Sequence, residues 1–296
     1  MIGVDWGSSS FRAYRIADDG AVTDRHVAAC GALSLKPGDF PGVLSHEIGS
    51  WLAADDGPVL LCGMVGSRQG WREAGYVACP ASAADLAGQL LPVQGPEGRT
   101  MFIVPGLQCR DPHGVPDVLR GEEMQLFGLA GMGQGEAMVC LPGTHSKHVR
   151  MEGGRVVGFT TAMTGEVFSL LRQQGALAAL LDETATDFDD AAFAAGVDRS
   201  AQSGGLLHHL FGIRAMALAG ELAAAAGADY LSGLLVGHEL RQTAWQGQIV
   251  VAGAAQLAAR YGKAFGRLGI QARIGPEDAA ATGLYRLGRQ VMEERS

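Results

Sequence analysis

The chain has 296 residues, 47% of them hydrophobic and 18% charged, the balance of a globular protein with a sizeable core. A formal net charge of -8 argues against a nucleic-acid surface, which needs clustered Lys and Arg, yet leaves room for a small anion held by a few local donors. Cys30, Cys62, Cys79, Cys109 and Cys140 are odd in number and scattered without a C-x-x-C pair, which argues against a disulfide framework or a zinc knuckle, and no leader or long apolar run is visible, so a reducing cytoplasm is expected and no membrane.

The chain opens with a hairpin signal: Ile2 and Val4 before, and Phe11, Tyr14 and Ile16 after, the polar tip Asp5-Trp6-Gly7-Ser8-Ser9-Ser10. Unhindered N–H groups and hydroxyls at Gly7, Ser8, Ser9 and Ser10 suit a phosphate, and Asp5 could hold Mg²⁺ through water. The same residues also make an ordinary solvated turn. Strands are expected over 21–29, 59–64 and 101–104, with a helix over 43–54 whose Val43, Leu44, Ile48, Trp51 and Leu52 share one face. The stretch 106–116 reads as loop, and helical spacing begins late in the segment 117–129.

A second strand-rich passage follows: strands over 137–141, 147–151 and 155–160, the first two joined by a Pro-Gly-Thr-His-Ser turn. It echoes the opening and suggests a duplicated architecture. Ala- and Leu-rich helices are expected over 168–181, 213–226 and 230–245. A short strand over 248–251, a small-residue turn over 252–255, a helix over 256–268 and a terminal helix entered through Pro276-Glu277-Asp278 complete the chain.

No phosphate-binding G-x-x-x-x-G-K-[ST] loop is present, and the glycines 131, 133 and 135 precede a strand, so they read as a turn and not as a dinucleotide fingerprint. His145 and His148 could be taken for a zinc pair, but three residues apart on an extended segment they face opposite ways. His26, His46, His113, His208, His209 and His238 read as surface or core residues. Three small turns remain, at 7–10, 143–146 and 253–255, each after a strand and together able to hold one phosphate chain from two lobes.

Here the sequence resembles a known family. Asp5 to Arg12, Gly63 to Trp71, Arg120-Gly121-Glu122-Glu123, Leu141 to Lys147 and Met163-Thr164-Gly165-Glu166 are similar to the 2-dehydro-3-deoxygalactonokinase family, within the acetate and sugar kinase, heat-shock ATPase and actin superfamily. The resemblance implies an α/β protein of two ribonuclease-H-like lobes, the actin-like ATPase fold, with ATP and substrate in the interlobe cleft. It implies phosphorylation by ATP and Mg²⁺ of the C6 hydroxyl of 2-dehydro-3-deoxygalactonate in D-galactonate breakdown. Residues 1–118 would form the first lobe and 119–296 the second, with the last helix packing back on the first.

The site residues follow from the same resemblance. Asp5 would act on Mg²⁺. Glu122 or Glu123 would be the base, Glu122 preferred for its place at the helix start; an acidic first turn that merely caps a helix is the plain alternative. Gly143, Thr144 and His145 would form a second phosphate turn with Lys147 as a point charge, although Leu141-Pro142 stands where relatives carry an Asp. Arg68, with Ser67, Gln69 and Trp71, would receive the substrate carboxylate, unless Arg68 and Arg72 simply solvate a helix face. Thr164, Gly165 and Glu166 would meet phosphate or sugar hydroxyls, or only cap a helix, and Gly253 and Ala254 would admit adenosine. Competing readings are a phosphohydrolase of the same fold, a kinase for the gluconate-derived acid, and a sugar-responsive regulator, which the place of Asp5 so near the start disfavours. The oligomeric state is open, with a homodimer as the working expectation.

Overall fold

The computed structural model describes residues 1–54, 57–131, 135–182 and 187–293. The turn expected at the glycines 131, 133 and 135 falls largely on residues outside that set.

The opening hairpin forms as expected: β1 (Ile2–Trp6) and β2 (Phe11–Ile16) pair antiparallel, with Asp5 opposite Arg12, and β3 (Val22–Ala28) continues the meander. Helix α1 (Phe40–Ala54) starts earlier than its apolar spacing predicted, with Pro41 in its first turn, where no N–H partner is lost. It buries Phe40, Leu44 and Ile48, and Val43, Trp51 and Leu52 pack on the same core. β4 (Val59–Gly63) lies parallel beside β1. Then come β5 (Tyr76–Ala78), the capped turn of helix α2 (Ala83–Ala87), β6 (Leu91–Gln94) and β7 (Thr100–Ile103).

The loop expected over 106–116 is instead largely a hairpin, β8 (Gly106–Arg110) and β9 (Pro116–Leu119), which makes a three-stranded sheet with β5. Leu107 pairs with Leu119 and both are buried, while the Asp111 carboxylate accepts the His113 and Val115 N–H groups to close the turn. The Gly, Asp and Pro content hid short strands that tertiary pairing stabilises. Helix α3 (Glu122–Leu129) follows at the expected place.

β10 (Glu136–Leu141), β11 (Ser146–Glu152) and β12 (Arg155–Ala162) lie side by side. The helix expected over 168–181 divides into α4 (Thr164–Gln173) and α5 (Gly175–Ala178), because Gln174 is extended and Gly175 has φ of 82°. Helix α6 (Asp190–Arg199), not anticipated, begins where Asp189 accepts the Ala192 N–H at 2.9 Å. The helix expected over 213–226 is likewise two, α7 (Gly205–Leu218) and α8 (Ala224–Arg241), broken by Gly220 at φ 74° in a C-terminal turn. β13 (Gln248–Val251), parallel to β10, leads into α9 (Ala255–Arg267), then β14 (Arg273–Ile274) and α10 (Ala279–Glu293).

The two larger sheets run β3-β2-β1-β4-β7-β6 and β12-β11-β10-β13-β14. In each, three consecutive strands lie in reverse order and a later strand joins the first of them in parallel, so the duplication suggested by the sequence is present in the strand order.

The chain forms two compact units, Met1–Glu136 with Val149–Thr160 and Pro276–Ser296, and Ala137–His148 with Thr161–Gly275. This differs from one cut after residue 118: α3 stays in the first unit because α10 packs on it, a methyl at Gly283 falling 1.8 Å from the Met124 carbonyl oxygen and one at Gly128 falling 1.7 Å from that of Ala279. Leu284 of α10 also rests against Gly3 of β1. The second unit has two apolar clusters, one between β10, β13 and helices α6, α8 and α9, the other among α5, α7 and α8.

Candidate active site

In the first unit the β1–β2 turn is closed by the Gly7 N–H on the Ser10 carbonyl at 2.8 Å, with Ser8 and Ser9 exposed at the tip. Asp5 lies buried in the strand behind that turn, and Arg12 reaches its Oδ2 at 3.3 Å. Burial pushes the Asp5 carboxyl above its ordinary range, and Arg12 only partly offsets the shift.

Two glycines bring the other carboxylates to it. Gly63 at the end of β4 has φ of 92°, and a methyl there would stand 2.7 Å from the Trp6 carbonyl and 3.4 Å from Asp5 Oδ1. Gly121 has φ of 102°, and a methyl there would stand 3.1 Å from Gly63 Cα. Side chains rarely adopt that backbone region, so both positions need glycine, and their approach sets the start of α3 beside the end of β4.

Glu122 and Glu123, adjacent in sequence, differ in setting. Glu122 is half-buried, and its Oε2 accepts the Arg120 N–H at 3.1 Å. Glu123 is fully buried, accepts the Gly121 N–H on Oε2 at 2.5 Å, and has no hydrogen-bond partner for Oε1 among the described residues. Burial, reinforced by Glu122, raises its carboxyl to about 8.

The Gly63–Trp71 segment is less uniform than its motif. Ser67 is buried with its hydroxyl unpartnered among the described residues, whereas Gln69 is exposed. The Arg68 side chain is 88% exposed, with Glu73 at 3.7 Å. The Trp71 ring stacks on Phe40 at 5.8 Å and belongs to the core periphery. Arg120, which the motif pattern leaves without a role, donates from Nη2 to the Ala74 and Gly75 carbonyls at 2.5 and 3.1 Å and lies 4.5 Å over the Tyr76 ring. It therefore ties the residues that follow that segment to the start of α3. Arg12, directly opposite Asp5 on the returning strand, is a partner that the motif does not single out.

In the second unit three segments meet. A methyl on Gly165 would fall 2.3 Å from the Gly143 carbonyl, so the start of α4 sits directly on the Gly143–His145 turn. The Glu166 N–H donates to the Thr144 carbonyl at 3.0 Å, and its carboxylate meets His145 Nε2 at 2.5 Å. Gly253, at φ 133°, stands so that a methyl would lie 3.4 Å from the Pro142 carbonyl, which brings the Gly253-Ala254 turn to the same place. Lys147 is buried and its ammonium donates to the His145 carbonyl at 2.8 Å, beneath the turn. His145 and His148 have different partners: His145 is half-exposed on Glu166, and His148 is buried on Glu239. Thus Gly143, Thr144, His145, Lys147, Thr164, Gly165, Glu166, Gly253 and Ala254 cluster in the second unit, and Asp5, Gly7 to Ser10, Ser67 to Trp71, Glu122 and Glu123 belong to the first.

Paired sheets of this order with small-residue turns after their first strands define the actin-like ATPase fold. The same fold, with TM-score 0.52 and 10% identity over 100% of this chain and 97% of that one, occurs in the activator of the 2-hydroxyisocaproyl-CoA dehydratase from Clostridium difficile. Residues 5–287 match the 2-keto-3-deoxy-galactonokinase family, and the chain belongs to it. It is 34% identical to the 2-dehydro-3-deoxygalactonokinase of Escherichia coli (strain K12), over 90% of each chain. It is 38% identical to the "Probable 2-dehydro-3-deoxygalactonokinase DgoK1" of Rhizobium meliloti (strain 1021), over 97% of this chain and 96% of that one. A crystal structure from Sinorhizobium meliloti bearing the same enzyme name superposes with TM-score 0.88 at 37% identity, over 98% of both chains.

Proposed function

We infer that this chain transfers the γ-phosphoryl group of ATP to the C6 hydroxyl of 2-dehydro-3-deoxy-D-galactonate, giving the 6-phosphate and ADP, in D-galactonate breakdown. The observation that carries the reading is the convergence of Asp5, Glu122 and Glu123 at the Gly63–Gly121 contact. Phosphoryl transfer asks a protein mainly for positioning, charge neutralisation and a group to accept the hydroxyl proton.

Glu122 accepts that proton: it is the less buried of the two glutamates and stands in the first turn of α3, where the helix dipole favours the carboxylate. Glu123, with its carboxyl near 8, is mostly neutral at pH 7 and braces the Gly121 backbone. Asp5 offers a hard oxygen donor suited to a Mg²⁺ that keeps most of its waters, and such an ion, when bound, neutralises phosphate charge. Gly7, Ser8, Ser9 and Ser10 hold the transferring phosphoryl group with N–H and hydroxyl donors. Ser67, Arg68 and Gln69 receive the sugar acid's carboxylate, the exposed Arg68 fork being free to turn from Glu73, and Trp71 braces their loop on Phe40.

In the second unit, Gly143, Thr144 and His145 present main-chain donors to the nucleotide phosphates, and Lys147 adds positive charge beneath them. Thr164, Gly165 and Glu166 fix that turn, and Gly253 and Ala254 admit the adenosine against bare backbone. A coupled ADP assay over a panel of sugar acids tests the reading: ADP should form only with 2-dehydro-3-deoxygalactonate. Equal ADP without any sugar acid makes the chain a phosphohydrolase, and preference for the gluconate-derived epimer reassigns the substrate.

A further inference from the structure

Cys140, His148 and Glu239 take no part in the proposed reaction, yet they come together in the second unit from β10, β11 and α8. One donor atom of each lies within 4.8 Å of the others, and all three residues are buried. Two of the three donors, on His148 and Glu239, are held from outside. His148 Nδ1 meets Thr243 Oγ1 at 2.6 Å, which leaves Nε2 toward Glu239 Oε1 at 2.6 Å. Glu239 Oε2 accepts the Tyr261 hydroxyl at 2.6 Å, and that hydroxyl meets Ser146 Oγ at 2.9 Å. The Trp245 ring packs 4.8 Å from the imidazole. Outer partners of this kind orient imidazole and carboxylate ligands in metal sites.

We propose that Cys140, His148 and Glu239 bind one divalent cation of the zinc class. A sulfur, a nitrogen and an oxygen donor suit Zn²⁺ and disfavour Mg²⁺, which takes oxygen alone. Ordinary zinc bond lengths place ligand atoms about 3.3–3.8 Å apart, so His148 and Glu239 part by roughly 1 Å on binding and a water fills the fourth position. The thiol proton leaves to solvent as the sulfur coordinates. Cys140 lies shortly before the Gly143–His145 turn and His148 shortly after it, so the ion braces both strands of that turn to α8.

The test is independent of kinase activity. The full chain is stripped by chelation and titrated with Co²⁺, followed by optical spectroscopy, and then with Zn²⁺. One Co²⁺ per chain is expected, with a thiolate-to-cobalt band, strong four-coordinate d–d bands and displacement by Zn²⁺. Cys140→Ala should abolish the thiolate band and weaken binding at least about tenfold, while Cys109→Ala changes neither. Cys140→Ser serves the same purpose if the alanine variant fails to fold. Absence of stoichiometric binding by the parent, or binding that survives loss of the Cys140 sulfur, overturns the site and leaves the trio as a hydrogen-bonded network.

Discussion

The turns after β1 and β10 occupy the same place in two sheets of the same order, but they are equipped differently. The first has Asp5 in the strand behind it, with Arg12 alongside. The second has Leu141 and Pro142 there, and its polar supports come from elsewhere: Glu166 on His145, Lys147 on the His145 carbonyl, and Gly165 against Gly143. Both keep the bare main chain that an anion needs. The acid is present in the first turn and not in the second, so the repeated sheet order keeps the backbone turn without its carboxylate.

Three changes break or sharpen this division, beginning with the largest effect. Glu122→Gln should lower turnover by about a hundredfold or more while ATP affinity, followed by calorimetry, stays near that of the parent. If that variant keeps its activity and Glu123→Gln loses it, the base lies one residue further on. In the acid-free turn, Gly165→Ala forces a methyl against the Gly143 carbonyl and should raise KM for ATP about tenfold, with KM for the sugar acid unchanged. Equal weakening for both substrates would deny the two turns their separate duties.

The smallest effect is on stability. Folding raises the Glu123 carboxyl from its ordinary 4.5 to about 8, so the folded chain keeps a proton that the unfolded chain releases between those values. The stabilisation is whole below about pH 4.5 and drains away as pH rises through 8. Glu123→Gln should flatten this part of the Tm-against-pH curve; an unchanged slope would mean that Glu123 is ionised in the folded chain.

Much of this was legible in the sequence because it rests on local pattern. The hairpin around Asp5, the buried face of α1, the β10–β11 turn and the start of α3 all carry apolar periodicity punctuated by small residues. The β8–β9 hairpin was not legible, since its strands are short and depend on pairing with each other and β5. Nor were the breaks at Gly175 and Gly220, where an apolar stripe continues in the letters although the backbone turns to positive φ. At the site, residue types announced Glu122 and Glu123 together, but only burial separates them. Arg120 was overlooked because its partners are carbonyl groups and a ring some 45 residues upstream.

Helix α10 belongs to the first unit, yet the whole second unit intervenes in the chain between it and the strands it covers. During synthesis the opening sheet must therefore wait, with Gly3 and the α3 face uncovered, until residues 279–293 have left the ribosome. A nascent chain arrested once Gly275 has cleared the exit tunnel, with residues 279–293 still inside it, should hold a second unit already resistant to protease and a first unit still readily cut.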